Sequence, residues 1–267
     1  MSQLHIVQIG SSVAGDSASE FFEFYQEHIN KALLIDASPV SVQATKDYYL
    51  SNLPHSVSVE RMEYLNYAIV TDPSTTEIEL FYPEGDPLSG FNSIFKSHVD
   101  SHRAGHGKEA VSINVPAITL NSLLKDYKIK DIDRLYIDAE GMDADILLSL
   151  DLSAFKIPYI AFEHGHTDGA FTKGAKWKDL LDYFHRQNYQ PFLVFTHDLQ
   201  LDYSAWAIHK DFLSFFNIGL PLLNPSGVAA DLNGVPILDA REPASASKTV
   251  FRTEAGNFHI DEYLKVK

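Results

Sequence analysis

Acidic and histidine side chains follow two short apolar segments near the middle of the chain. Asp138 and Glu140 come directly after one of these segments, and Glu163 and His164 end the next one. Carboxylates and imidazoles can orient a polar ligand or accept a proton from it. If both segments are strands of one parallel sheet, their carboxyl ends meet at the edge where ligands bind in open α/β sheets. These four side chains are therefore candidate catalytic residues.

Two other interpretations of these side chains stay open at this point. Together with His166 and Asp168, they offer oxygen and imidazole ligands to a divalent ion, and their spacing alone does not decide whether a metal binds. A metal-dependent hydrolase or transferase is thus one hypothesis. Alternatively, Asp138 and Glu140 only cap the helix that follows them, because Asp is a preferred capping residue.

The spacing of apolar residues predicts the elements that position these side chains. Leu120, Leu123 and Leu124 recur at helical spacing behind Thr119, a good N-cap residue, which predicts a helix over residues 119–127. A strand, a second helix and a second strand follow. The central part of the chain therefore reads as one αβαβ unit with acidic residues at both strand ends.

The same alternation extends over most of the chain. The pattern predicts further strands over residues 4–9, 32–35, 57–62, 191–195 and 203–209, a β-hairpin over 67–71 and 77–82, and helices over 17–29, 40–53 and 177–187. Alternating strands and helices are typical of an α/β fold with a doubly wound, mostly parallel sheet. Residues 211–267 break the alternation, so we expect one unit over 1–210 and a C-terminal extension or lid over 211–267.

The ends of the first two predicted strands suit a nucleoside cofactor. Gly10 opens a turn that runs to Gly15, and glycine lets the backbone approach a ligand closely. Asp36 ends the second strand, where a carboxylate can accept hydrogen bonds from ribose hydroxyls. The dinucleotide motif would need glycine at position 12, which is Ser12 in this chain, so a nicotinamide cofactor is disfavoured. A tight turn without any ligand is the simpler alternative.

Composition narrows the class of partner. The 36 acidic residues outnumber the 21 Lys and Arg and give a formal net charge of −15 over 267 residues. Nucleic acids and anionic membranes are bound mainly through Lys and Arg, so we expect a small-molecule substrate and neither of those partners. The chain has no cysteine, no signal-peptide pattern and no apolar run of membrane-spanning length. We expect a soluble, cytoplasmic protein, whose oligomeric state the sequence leaves open.

Several segments resemble the FkbM-type S-adenosylmethionine-dependent methyltransferases. Residues 132–147, which read IDRLYIDAEGMDADIL, are similar to the family's "lkiDvEGxE" strand and acidic motif, and the flanking segments 118–124 and 159–164 are similar to its preceding helix and following strand. Weaker matches in the same order lie at residues 7–10, 35–39 and 66–70. The resemblance implies a Rossmann-like class I methyltransferase fold and methyl transfer from S-adenosylmethionine, usually to a hydroxyl of a sugar or natural product.

The resemblance also implies which residues hold the cofactor. Gly10, Ser11, Ser12 and Gly15 would wrap the methionine moiety, Asp36 with Ala37 and Ser38 would hold the ribose, Asn66 and Ala68 would border the adenine, and Asp138 would lie near the amino group or the reacting methyl. Methyl transfer mainly requires alignment of the reacting groups, and a general base helps a weakly nucleophilic hydroxyl. We expect Glu163 or His164 to be that base and Asp138 to be a positioning residue.

A catalytically inactive nucleotide-binding scaffold is a further hypothesis. Gln8 stands where the family prefers an acidic residue, and the glycine turn is one residue longer than the family's turn.

Residues 83–109 form a polar stretch rich in Gly and His, which we predict to be an inserted specificity loop. Ser89, Asn92 and Ser93 are placed to meet a polar acceptor. This stretch also contains histidines at every fourth position, namely His98, His102 and His106. Because glycines interrupt the end of this run, we expect a solvated or substrate-facing loop here rather than a metal site.

Overall fold

The computed structural model describes residues 4–12, 21–23, 25–53, 61–102, 107–164, 175–195, 203–216, 237–239 and 260–266. The strands are β1 Leu4–Ile9, β2 Ile29–Asp36, β3 Met62–Asn66, β4 Ala68–Val70, β5 Glu77–Pro83, β6 Ala110–Thr119, β7 Arg134–Ile137, β8 Tyr159–His164, β9 Tyr189–Phe195, β10 Tyr203–His209 and β11 Ile237–Asp239. The α-helices are α1 Pro39–Asn52, α2 Lys96–Ser101, α3 Leu120–Asp126, α4 Asp143–Ser149, α5 Ala175–Arg186 and α6 Ile260–Val266, with 3-10 helices at Gln26–His28 and Lys210–Phe215.

Eight strands form one sheet in the order β11-β9-β10-β8-β7-β1-β2-β3. From β8 to β3 all neighbours run parallel, whereas β10 runs antiparallel to both β8 and β9. The register aligns Ile9 with both Ile35 and Ile137, so these three strands end together. The predicted α/β fold with a doubly wound, mostly parallel sheet is confirmed.

Both faces of this sheet are covered, because successive strand residues point to opposite faces. In β1, Val7 and Ile9 enter one core with α3, α4 and α5, while Leu4 and Ile6 enter a second core with Tyr49 of α1. Strands buried on both faces need near-continuous apolar runs, which explains the apolar sequences of β1, β2 and β7.

Two hydroxyl side chains fix where helices begin beside the site. The N–H of Ser122 donates to Thr119 Oγ1 at 3.2 Å at the start of α3, and the N–H of Ser41 donates to Ser38 Oγ at 3.2 Å at the start of α1. The predicted N-cap role of Thr119 is confirmed. Because Ser38 lies two residues after the end of β2, α1 begins at the carboxyl end of that strand.

The third strand lies later in the chain than the sequence predicts. Instead of residues 57–62, the strand β3 spans Met62–Asn66, and residues 54–60 lie outside the described part of the chain. The predicted bounds are wrong because Met62 and Leu65 are the side chains that this strand buries against the sheet. The later bounds place Asn66 directly opposite Asp36 of β2.

The predicted hairpin is also wrong in its pairing. Strands β4 and β5 both form, but β4 pairs parallel and β5 pairs antiparallel with β6, in a second sheet of order β4-β6-β5. The sequence analysis did not predict β6, although Val111, Ile113, Val115 and Ala117 alternate with other residues as a strand requires. The end of β6, Thr119, is also the N-cap of α3.

The remaining differences concern the first helix and the C-terminal segment. Residues 21–23 and 25 are helical, but β2 begins at Ile29, so the predicted helix over 17–29 ends earlier than expected. At the other end of the chain, Tyr263 of α6 is buried in the second core and its hydroxyl donates to Asp133, just before β7. The division at residue 210 stays a prediction. In the described part of the chain, no helix is long and apolar enough to span a bilayer.

Candidate functional site

The carboxyl ends of parallel strands bring the predicted site residues to one edge of the sheet. Gly10 follows β1, Asp36 and Asn66 end β2 and β3, and Asp138 follows β7. Backbone hydrogen bonds hold these strand ends in register. The clustering that the strand-end reasoning predicted is therefore present.

The backbone of Asp138 lies against Gly10 where β1 and β7 end. Its φ of +74° is unfavourable for L side chains, and a Cβ added there would lie 1.7 Å from the carbonyl oxygen of Asp138. The N–H of Asp138 in turn donates to the carbonyl of Ile9 at 3.0 Å. Only glycine fits at position 10 without moving one of these strand ends.

Asp36 organises the turns on either side of it. Its Oδ2 accepts the N–H of Ser12 and its Oδ1 accepts the N–H of Ser38, each at 2.8 Å. Burial raises the pKa of Asp36 to about 6, and these two hydrogen bonds partly oppose that rise. A carboxylate oxygen has more than one acceptor position, so Asp36 can also bind a ligand hydroxyl while it holds both turns.

Asn66 fixes the chain where it leaves β2. Its Nδ2 donates to the carbonyl of Asp36 at 3.1 Å and to that of Ala37 at 2.7 Å. The neighbouring residues Tyr67 and Ala68 contribute to the same cavity as Ala37. Asn66 thus fixes the backbone of Ala37, which lines the cavity.

A cavity of about 230 Å³ opens at this edge of the sheet. It is lined by Gly10, Ser12, Asp36, Ala37, Ala68, Asp138 and Glu140 from the predicted site, and by Ser89, Asn92 and Ser93 from the predicted specificity loop. Ser11 and Ser38 are buried beside these lining residues. Among the described residues, the ionisable groups that line the cavity are Tyr67 and the carboxylates of Asp36, Asp138 and Glu140. The cavity therefore favours a cationic ligand.

Three carboxylates meet where β7 and β8 end. One oxygen atom each from Asp138, Glu140 and Glu163 lies within 4.8 Å of the other two. The helix α4 begins at Asp143 with Met142 as N-cap and no side-chain cap hydrogen bond, so the capping alternative for Asp138 and Glu140 is wrong. The acids instead concentrate negative charge at the end of the cavity.

Asp143 is a buried acid that the sequence analysis did not select. Its Oδ2 accepts the N–H of Ala139 and its Oδ1 accepts the N–H of Glu163, each at 3.2 Å. Burial and, second, the charge of Glu163 raise the pKa of Asp143 to about 7. The side chain ties the loop after β7 to β8. The sequence contained a signal for it, since Asp143 is the last acid of the motif that begins at Asp138.

The prediction of a solvated or substrate-facing loop is wrong at His98, because this residue is buried in a helix. His98 lies in α2 and is 1% exposed, and its Nε2 lies 2.7 Å from Oε2 of Glu140. A buried imidazole needs a polar partner, and the acidic strand end provides one. The ring of His102 stacks on that of Phe91, with 4.3 Å between centroids.

Four predicted residues lie outside the described part of the chain, namely Gly15, His106, His166 and Asp168. His164 is described only as the last backbone position of β8, directly after Glu163. The roles of these residues stay predictions.

Comparisons with solved structures find chains of low identity to this one, with TM-scores below 0.5. Similar chains include methyltransferase FkbM from Methylobacillus flagellatus KT (13% identity, TM-score 0.48, 77% of this chain and 44% of that one) and TrmK from M. capricolum in complex with S-adenosyl-homocysteine (12%, 0.40, 78% and 63%). Another is the ribosomal protein L11 methylase from Lactobacillus delbrueckii subsp. bulgaricus (10%, 0.36, 78% and 71%). The chain thus spans less than two thirds of the length of the first two.

No curated protein matches the sequence significantly. The family comparison is decisive, because residues 8–191 match the methyltransferase FkbM domain. This match covers more than half of the chain, from the end of β1 to the start of β9, and includes the cavity and the acidic cluster. The chain therefore belongs to the FkbM methyltransferase family.

Proposed function

We propose that the protein transfers the methyl group of S-adenosylmethionine to a hydroxyl group of a small-molecule acceptor, such as a sugar or a natural product. Membership of the family implies S-adenosylmethionine as the cofactor. The charge of the cavity is the observation that supports this proposal most. Asp36, Asp138 and Glu140 line it, and its described lining contains neither Lys nor Arg. A cofactor with sulfonium and ammonium groups suits such a cavity, whereas the phosphates of a dinucleotide would be repelled.

The strand ends fit this cofactor. Gly10 leaves room for a close backbone approach, because a side chain there would collide with Asp138. Asp36 lies where its carboxylate can accept hydrogen bonds from ribose hydroxyls. Tyr67 and Ala68 line the same cavity, on the side where the resemblance places the adenine.

The chemistry requires alignment of the acceptor, exclusion of water and removal of a proton. When bound, S-adenosylmethionine supplies an activated methyl group on a positively charged sulfur. We infer that Glu163 or His164 accepts the proton of the acceptor hydroxyl and that Asp138 positions this hydroxyl. Asp143 supports this arrangement because it binds the backbone N–H groups of Ala139 and Glu163.

The acceptor side of the cavity is assigned to residues 83–109. Ser89, Asn92 and Ser93 line the cavity there, and their polar groups suit a polyhydroxylated acceptor. The net charge of −15 supports a small molecule over nucleic acid or an anionic membrane. The absence of cysteine is compatible with a reducing cytoplasm, where we place the protein.

Calorimetric titration tests the cofactor assignment. We expect S-adenosylmethionine and S-adenosylhomocysteine to bind, NAD not to bind, and the Asp36→Ala variant to lose binding of both sulfur compounds. The Asp47→Ala variant is the matched control, because Asp47 is an exposed residue of α1 that bonds to Gln43. If neither sulfur compound binds detectably to the wild-type protein, the proposal is contradicted. Binding without transfer of labelled methyl to any sugar or natural-product hydroxyl would favour the inactive scaffold.

A metal-dependent hydrolase or transferase is a further candidate after the inactive scaffold, because Asp138, Glu140 and Glu163 bring three oxygen atoms within 4.8 Å of one another. Such a group of carboxylates is able to bind Mg²⁺ or Mn²⁺. The two candidates differ in their response to a chelator. Methyl transfer that continues at full rate in EDTA would remove the metal-dependent candidate.

A further inference from the structure

The side chain of Glu140 is held by an element that is distant in sequence. Oε2 of Glu140 lies 2.7 Å from Nε2 of His98, and the two side chains are 16% and 2% exposed. Glu140 therefore faces the cavity, and His98 is buried behind it. Their separation in the sequence means that α2 must dock correctly before Glu140 can adopt this position.

The backbone of Glu140 is held by the same segment. Ser93 Oγ donates to the carbonyl of Glu140 at 2.8 Å, and Ser93 itself exchanges two backbone hydrogen bonds with Phe81 of β5. Glu140 has a φ of +46°, an uncommon conformation for a residue with a side chain. Because both its backbone and its carboxylate contact residues 93–98, its orientation is determined by this segment as well as by β7.

We propose that His98 is a positioning residue that directs the carboxylate of Glu140 toward the positively charged sulfur of the bound cofactor. The inference rests on the proposed function, since it assumes that the cavity binds S-adenosylmethionine. The segment 93–98 then has a role beyond acceptor specificity. It completes the part of the cavity that recognises the charge of the cofactor.

The negative charge of the Glu140 carboxylate explains why its position affects cofactor binding. The contact with His98 holds the carboxylate of Glu140 beside a cavity whose described lining also contains Asp36 and Asp138 but neither Lys nor Arg. S-adenosylmethionine carries a positive sulfur, whereas the sulfur of S-adenosylhomocysteine is neutral. A carboxylate held toward the sulfur would therefore favour the substrate form of the cofactor over the product form, and a carboxylate that turns away would lose this preference.

The ratio of the two dissociation constants measures this effect without an acceptor. We compare the wild-type protein with the variants His98→Phe, His98→Gln, Glu140→Gln and the double variant His98→Phe/Glu140→Gln by calorimetry. Loss of one such interaction is expected to weaken the binding of S-adenosylmethionine about tenfold in both the His98→Phe and the Glu140→Gln variants. The affinity for S-adenosylhomocysteine stays within about twofold, which shows that the cavity is intact.

The double variant separates positioning from independent structural effects. If His98 acts through Glu140, His98→Phe adds nothing to the loss already caused by Glu140→Gln. His98→Gln, which can still donate a hydrogen bond, restores most of the wild-type preference. The variant His185→Phe, at an exposed position of α5, is the control for replacement of an imidazole by a phenyl ring.

Two results would overturn the inference, and they differ in what else they overturn. The positioning role is rejected if the losses of S-adenosylmethionine affinity add up in the double variant. It is also rejected if His98→Phe weakens the binding of both compounds equally. Either result leaves the proposed function standing. Failure of the wild-type protein to bind either compound rejects the proposed function and this inference together.

Discussion

The carbonyl oxygen of Asp138 lies where a side chain on Gly10 would have to be. A Cβ at position 10 would approach this oxygen to 1.7 Å. The contact links the first strand of the sheet to the acidic motif after β7. It places the turn that begins at Gly10 directly against the loop that follows β7.

Replacement of Gly10 by alanine is expected to reduce both stability and binding of S-adenosylmethionine. The added methyl group must move either β1 or the loop after β7, and the positive φ adds strain, so we expect a loss of about 3 kcal/mol in the free energy of unfolding. Urea unfolding measures this loss of free energy. In the Gly90→Ala variant the added Cβ meets no atom within 4 Å, so its stability should remain close to that of the wild type. Equal stability of both variants would show that the strand ends separate easily.

Replacement of Asn66 by alanine is expected to weaken cofactor binding about tenfold. The side chain donates to the carbonyls of Asp36 and Ala37, and loss of these hydrogen bonds costs about 1–2 kcal/mol. The control is Asn121→Ala, which also removes contacts to two backbone groups, at Ser149 and Asp151. Calorimetry should show weaker binding in the first variant only. Equal losses in both would mean that the effect arises from general destabilisation.

The stability of the protein is expected to depend on Asp143 between pH 4 and pH 7. The folded state raises the pKa of Asp143 from 3.8 to about 7. The folded protein therefore holds a proton that the unfolded chain releases. The resulting stability is fully present below the unfolded pKa and is lost as the pH rises through the folded pKa.

The Asp143→Asn variant lacks this titration, so the wild type should lose stability relative to it as the pH rises from 5.5 to 8. The relative change is on the order of 2 kcal/mol, since one pKa unit corresponds to about 1.4 kcal/mol. Thermal unfolding of both proteins at the two pH values measures it. Parallel curves with a constant difference would show that Asp143 does not carry the pH dependence.

Replacement of Tyr263 by phenylalanine is expected to destabilise the protein without changing cofactor affinity. The hydroxyl of Tyr263 donates to the buried carboxylate of Asp133, which lies at the start of β7, away from the acidic strand end. Loss of a hydrogen bond to a buried charge costs about 1–3 kcal/mol. Tyr48→Phe, which removes an exposed hydrogen bond to Glu23, is the control. A changed affinity for S-adenosylmethionine in Tyr263→Phe would connect the C-terminal helix to the site.

The sequence was sufficient to predict the sheet and the positions of most strand-end residues, because both depend on local patterns. Apolar runs define buried parallel strands, and the residues after them necessarily share one edge. Asp36 and Asp138 were located in this way before any contact was known, whereas Asn66 was indicated by the family resemblance because the third strand was predicted too early in the chain. The same reasoning predicted the N-cap at Thr119, which is also a local feature.

The differences arise where partners are distant in sequence. Strands β4 and β5 look like a hairpin because they are neighbours in the chain, but β6 offers a longer partner to both. The burial of His98 depends on Glu140, which no local pattern can reveal. Asp143 was overlooked although it belongs to the acidic motif, because the N–H groups that it accepts from Ala139 and Glu163 are not identified by the sequence.

The antiparallel strand β10 lies between β8 and β9, although it follows both in the chain. During synthesis on a ribosome, β9 emerges before the strand that will join it to the sheet. Until Tyr203–His209 has left the exit tunnel, β8 and β9 both lack the strand that will pair with them on the sides that face each other. Unpaired edges promote aggregation of incomplete chains. Shortened forms of the protein should therefore keep residue 209 if they are to remain in solution.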